Sequence, residues 1–186
     1  MIDLVEIVRK ISRLAADQLG VFDRAELRAI ISPSSDKSFY GIVRKLVTGG
    51  LLRRFSREIY VTTEFDPRAL SQKLNPESYV SFANVLADEL LIGPVPAHRV
   101  MAVKVGPTRE YTDGSLMICH VGVKPHLFFG YHPGKGYLRA DKEKAVLDTL
   151  YLHQKGWKFN FNVYSDVDYS KLDKKLVASR LGDLTT

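Results

Sequence analysis

Cysteine occurs once, at Cys119, and that scarcity removes several chemistries together. A single thiol builds no disulfide framework, no CxxC redox pair and no thiolate zinc site, and this usage fits a reducing cytosol. Long hydrophobic runs are missing as well. No window approaches the roughly 20 apolar residues of a membrane span, and the opening MIDLVEIVRK lacks the uninterrupted apolar stretch and small-residue cleavage site of a secretory signal. A soluble, cytoplasmic chain without membrane attachment is the expectation. His98, His120, His126, His132 and His153 show neither HxH nor HExxH spacing, so no metal site is expected. The glycine-rich stretch from His132 to Gly136 lacks the GKS or GKT ending of a phosphate loop, and no internal repeat or low-complexity tract occurs.

What is present is positive charge. The 186 residues carry a formal +6 with 45% hydrophobic content, enough for one ordinary core or two small ones. Such a balance points to a polyanionic partner, provided that the cations gather in one place. Residues 1–63 hold eleven Lys and Arg against seven Asp and Glu, a net of +4.

Local patterning gives the organisation of that first third. Leu4, Val8, Ile11 and Ala15 recur at helical spacing from Ile2 to Leu19, where Gly20 stops the run. Asp23 and Glu26 have the spacing of a capping box, which starts a second, short helix. Pro33 ends it, and Ser34 or Ser35 caps a third helix from about Asp36 to Val47 with Phe39, Val43, Leu46 and Val47 on its inner stripe. After Gly49-Gly50 the period changes, and LLRRF and EIYVT flank Ser56-Arg57-Glu58 as a β-hairpin. Three short helices and a hairpin are the order of a winged helix-turn-helix.

Such a module binds double-stranded DNA by placing its third helix in the major groove and its hairpin against the backbone or minor groove. Burial of Phe39, Val43 and Leu46 turns Lys37, Ser38, Tyr40, Arg44 and Lys45 outward, and the hairpin adds Arg53, Arg54 and Arg57. These eight are the expected DNA-binding residues.

The expected fold class is α+β: a winged helix-turn-helix over 1–63, a linker over 64–76 with a short apolar helix around Ala69 to Leu74, and a small mixed α/β domain over 77–186. The second part opens with a helix capped at Ser81 and ending before Gly93. Strands follow at Arg99 to Val105, Leu116 to Val123 and Leu127 to Tyr131, with turns at Gly106-Pro107, Asp113-Gly114 and His132-Pro133-Gly134. Asp141 caps a helix through Lys155, and a last helix spans Tyr169 to Leu181. Asp148, in the middle of an almost wholly apolar helix, needs a partner such as Tyr79, Ser81 or a basic side chain, because an unpaired buried carboxylate is expensive. The tetrad Asp141-Lys142-Glu143-Lys144 imitates the acidic ending of metal-dependent nucleases, but acids in a first turn are favoured by the helix dipole, and a helix start is the simpler reading. No catalytic residue and no cofactor are expected.

Residues FDRAELRAI and YGIVRKLVTGGLLRRFSREIYVT resemble the N-terminal domain of the AbiEi antitoxins of bacterial type IV toxin-antitoxin systems, and SYVSFANVLADELLIG with ADKEKAVLDTLYL resembles blocks of that family's second domain. One departure is Lys142, where the family pattern has proline before EKA. The resemblance implies a repressor that binds the operator of its own operon and opposes a nucleotidyltransferase toxin through its second domain. The oligomeric state stays open, because the Leu4, Val8, Ile11 and Ala15 stripe serves dimerisation as readily as core packing. Two alternatives from other classes are a winged-helix protein-interaction module without a toxin partner and a metal-dependent nuclease.

Overall fold

A computed structural model describes residues 3–182. The protein is a mixed α+β chain that divides into two compact units between Leu74 and Asn75. Among the described residues no helix is long and apolar enough to cross a membrane.

The first unit runs α1 (Leu4–Asp17), β1 (Val21–Asp23), α2 (Arg24–Ile31), α3 (Asp36–Thr48), β2 (Arg53–Arg54), β3 (Ile59–Val61) and α4 (Pro67–Leu74). Each of the first three helices begins where a short polar side chain meets the free amides. Asp3 accepts from Val5, Asp23 and Glu26 form a reciprocal capping box, and Ser35 accepts from the Ser38 amide at 3.2 Å. Ile2, where the sequence starts the first helix, lies outside the described residues. The hairpin expected from LLRRF and EIYVT gains a third strand, because β1 pairs antiparallel with β3 on the side opposite β2. Three residues are too few to leave an alternation in the sequence. Gly20 makes the turn into β1 at φ +72°, and a Cβ there would lie 2.2 Å from the Glu64 carbonyl oxygen, so only glycine fits.

One core joins these elements: Ile7 and Ile11 of α1, Leu27 and Ile31 of α2, Phe39, Val43 and Leu46 of α3, with Phe22, Leu52 and Tyr60 from the sheet side. Val47 is not part of it. Eight residues beyond Phe39 it has rotated about 80° off the stripe, and it is 37% exposed. The segment 64–76, read from sequence as connecting, carries α4, which buries Ala69 and Leu70 within this unit and ties Lys73 to both acids of the α2 capping box.

The second unit runs β4 (Ser78–Val80), α5 (Phe82–Asp88), β5 (Arg99–Val105), β6 (Arg109–Thr112), β7 (Met117–Val123), β8 (Tyr131–Pro133), β9 (Leu138–Ala140), α6 (Lys142–Gln154) and α7 (Lys174–Leu181). Its six-stranded sheet has the order β6-β7-β5-β4-β9-β8, with β5/β7 and β4/β9 parallel and the remaining pairs antiparallel. Three sequence expectations fail here. His132-Pro133-Gly134 is not a turn, since His132 and Pro133 belong to β8 and the chain reverses between Gly134 and Tyr137. Leu127 to Tyr131 is not a strand: Pro125–Leu127 forms a 3-10 turn, and the strand begins only at Tyr131 and includes Pro133. Proline is tolerated there because β8 is an edge strand. Tyr169 to Leu181 is not one helix either. A 3-10 turn at Tyr169–Lys171 breaks off, and the Asp173 carboxylate, accepting from the amides of Lys175 and Leu176, starts α7 afresh.

The core of this unit holds a polar knot. Asp148 of α6 is 4% exposed and accepts from the hydroxyls of Ser81 at 2.7 Å and Tyr79 at 3.2 Å, while Lys144 one turn earlier pairs with its other oxygen. All three partner types foreseen for this carboxylate are therefore engaged together. Ser81 precedes α5 but makes no side-chain cap, because its hydroxyl is committed to Asp148. Lys144 is fully buried, its ammonium 4.4 Å from the centre of the Phe129 ring. Burial pushes the Asp148 carboxyl above its ordinary range, with Lys144, Ser81 and Tyr79 pulling it back; the same burial raises the Tyr79 hydroxyl.

Candidate nucleic-acid interface

Helix α3 forms because the apolar residues Phe39, Val43 and Leu46 recur at a period near 3.6 after the Ser35 cap, and this inward stripe fixes what faces out. Lys37 and Arg44 stand seven residues apart, about 20° from each other around the axis, and both are exposed. Lys45 and the half-buried Ser38 form one flank of this strip, and Tyr40, 48% exposed, forms the other. Among the described residues Lys37, Arg44 and Lys45 make no ion pair. Between them lies Gly41, where an added Cβ would meet nothing within 4 Å. Glycine here answers no packing need in the fold, although it lowers helix stability by about 1 kcal/mol relative to alanine. It leaves a shallow saddle at the middle of a cationic strip.

The hairpin arginines behave differently from one another. Arg57 at the tip projects freely, its side chain 89% exposed and only loosely beside Glu58 at 3.8 Å. Arg54 is turned into the hairpin, where its Nε donates to the Ser56 carbonyl at 3.0 Å and its Nη2 to the Arg57 carbonyl at 3.1 Å, so two of its donors close the turn. Arg53 lies with its guanidinium carbon 5.6 Å from the centre of the Phe65 ring.

Two arginines that sequence reasoning counted as charge but gave no role set the geometry of this surface. Arg24 opens α2; its backbone amide donates to the Glu58 carbonyl, its guanidinium sits 3.5 Å from the Glu58 carboxylate, and the same group stacks 5.3 Å from the centre of the Tyr40 ring. The hairpin tip and the outer flank of α3 are thus held against one side chain. One turn later Arg28 pairs with Asp36 at 2.5 Å and stacks on Phe39, fastening the start of α3 to α2. The available signal was the i, i+4 spacing of the two arginines on α2, which puts them on one face.

The remaining chemistry-bearing residues are dispersed. Asp141 precedes α6 but, contrary to the sequence expectation, makes no side-chain cap, its carboxylate being bonded to His132 Nδ1 at 2.7 Å; Lys142 to Lys144 form the first turn, with Glu143 accepting from the Asp173 amide. His120 is buried edge-on to Tyr111, and His153 lies edge-on to Tyr164. Among the described residues no three of His, Cys, Asp and Glu converge as a metal ion requires. The stretch His132–Gly136 ends β8 and enters the hairpin turn to β9 rather than joining a strand to a helix. Cys119 is buried, and burial beside Glu110 pushes its thiol up to about 11. No protein-family model matches the chain, and no curated protein matches it either.

Proposed function

We propose that the first unit is a winged helix-turn-helix that binds double-stranded DNA, with α2 and α3 as the helix-turn-helix and the β2–β3 hairpin as the wing. The observation that carries this reading is the strip of Lys37, Arg44 and Lys45: three cations project from one helix face, unpaired within the described residues, beside a hairpin tip that presents Arg57. On α1, by contrast, Lys10 is paired with Glu6 one turn away. Unpaired donors at the width of one helix match the major groove, where Arg and Lys read guanine, and Arg57 reaches phosphate.

The chain acts in this reading as a transcriptional repressor without catalytic activity. The resemblance of its sequence blocks to AbiEi antitoxins extends the proposal to autoregulation of its own operon and to opposition of a nucleotidyltransferase toxin by the second unit.

Gel shifts with the DNA upstream of its gene test the first step. Arg44→Ala weakens binding by about 1 to 3 kcal/mol where Arg44 reads a base, and Arg57→Ala weakens all sequences alike and flattens the salt dependence by about one unit. Unchanged affinity in both variants removes the assignment. Co-expression with a nucleotidyltransferase toxin of the type IV class tests the second step, where growth rescue is expected and its absence rejects the antitoxin role alone.

A further inference from the structure

The second unit contains a cleft that none of the foregoing uses. Its apolar lining includes Val95, Pro96, Trp157 and Phe159. The space that these residues line is open to solvent and measures about 390 Å³. Arg99 and Lys158 stand at its margin, both exposed and neither ion-paired among the described residues, and no carboxylate lines it.

The polar groups of the cleft sort into fixed and free. The Asn84 amide is committed, donating to the Arg99 carbonyl and accepting from the Met101 amide, so it holds the floor in place. The Asn160 amide makes no hydrogen bond among the described residues and offers a donor and an acceptor on the same edge. The segment carrying these groups alternates: Trp157, Phe159 and Phe161 are half-buried, with Phe159 packed on Phe82 and Phe161, while Lys158 and Asn160 face solvent.

We propose that this cleft binds an unpaired nucleobase, stacked at Trp157 and Phe159, with its phosphate on Arg99 and Lys158. A planar π system, a pair of cations without acids and a free amide are the elements by which proteins hold single-stranded nucleotides. An acidic peptide satisfies the cations but leaves the aromatic lining of Trp157 and Phe159 unused. The site is independent of the duplex-binding face on α3.

Trp157 is the only tryptophan in the chain, so its fluorescence reports on this cleft. The full-length protein is titrated with uridine monophosphate, with a short oligo-dT and with polyglutamate. Saturable quenching by both nucleotide probes is expected, with the oligonucleotide binding more tightly if the natural ligand is a strand and equally if it is a free nucleotide. The exposed double variant Arg99→Ala/Lys158→Ala raises the half-saturating concentration about tenfold or more, and Phe159→Leu raises it severalfold through lost stacking. In gel shifts the double variant keeps its affinity for duplex DNA, which separates failure of this site from failure of the duplex reading. Absence of quenching by either nucleotide, equal quenching by polyglutamate, or quenching indifferent to the double variant overturns the proposal.

Discussion

Removal of the Asp148 carboxylate tests the account of the second unit most directly. In Asp148→Ala the Lys144 ammonium, 0% exposed, loses its counter-charge and keeps only the ring faces of Phe129 and Tyr79, while the hydroxyls of Ser81 and Tyr79 lose their acceptor in the same buried space. Each orphaned hydroxyl is worth about 1 kcal/mol or more, and breaking a buried ion pair from one side typically destabilises by about 3 to 5 kcal/mol. Against the roughly 5 to 15 kcal/mol that holds an ordinary domain together, the variant should be at or near the unfolding threshold. Urea titration followed by Trp157 fluorescence reads this unit, since the first unit contains no tryptophan. The companion Lys144→Met/Asp148→Leu removes both charges and should recover most of the loss, because an apolar pair of similar volume is often neutral or stabilising. A loss below about 1 kcal/mol in the single variant, or a double variant no better than the single, refutes the reading that these charges are mutually dependent.

Three further outcomes follow from the structure. Gly41→Ala should stabilise the first unit by about 0.5 to 1 kcal/mol while weakening duplex binding, since the added methyl fills the saddle between Lys37 and Arg44; a variant both more stable and equally tight in gel shifts would show that nothing approaches that surface closely. Arg24→Gln should change stability by less than about 1 kcal/mol, as half-exposed ion pairs do, yet weaken duplex binding by loosening the hairpin from α3; unaltered binding would leave Arg24 a surface residue. The Cys119 thiol, raised to about 11 by burial, is neutral in the folded protein, so the stability that it contributes is complete below the ordinary thiol value of 9.0 and is lost as pH rises through 11. A thiol reagent at pH 8 should therefore label it slowly in native protein and rapidly in urea; equal rates would contradict its burial.

Much of the first unit was legible because its signals are local. The Asp23/Glu26 capping box, the Ser35 cap and the Phe39, Val43, Leu46 stripe each depend on residues within a turn or two of one another, and each stands where the spacing puts it. The strand β1 was not legible, since three residues carry no alternation and pair with β3 across a long stretch of sequence. Arg54 reads like Arg53 and Arg57 in the sequence, and only the closed geometry of the turn separates them. The need for a partner at Asp148 followed from electrostatics alone. The burial of Lys144 did not, because a lysine in a first helical turn ordinarily faces water; here Phe129, brought in from the loop before β8, covers it. The aromatic cleft likewise joins residues from α5, β5 and the segment after α6, a proximity that no spacing rule encodes.

The attachment of Lys73 has a consequence for where the chain can be cut. The last turn of α4 grips the two acids that initiate α2, and α2 carries the arginines that orient the hairpin and α3. A fragment ended at residue 63 loses this clamp together with the burial of Ala69 and Leu70, whereas one ended at residue 74 retains both, and the first unit of the latter should resist urea the better.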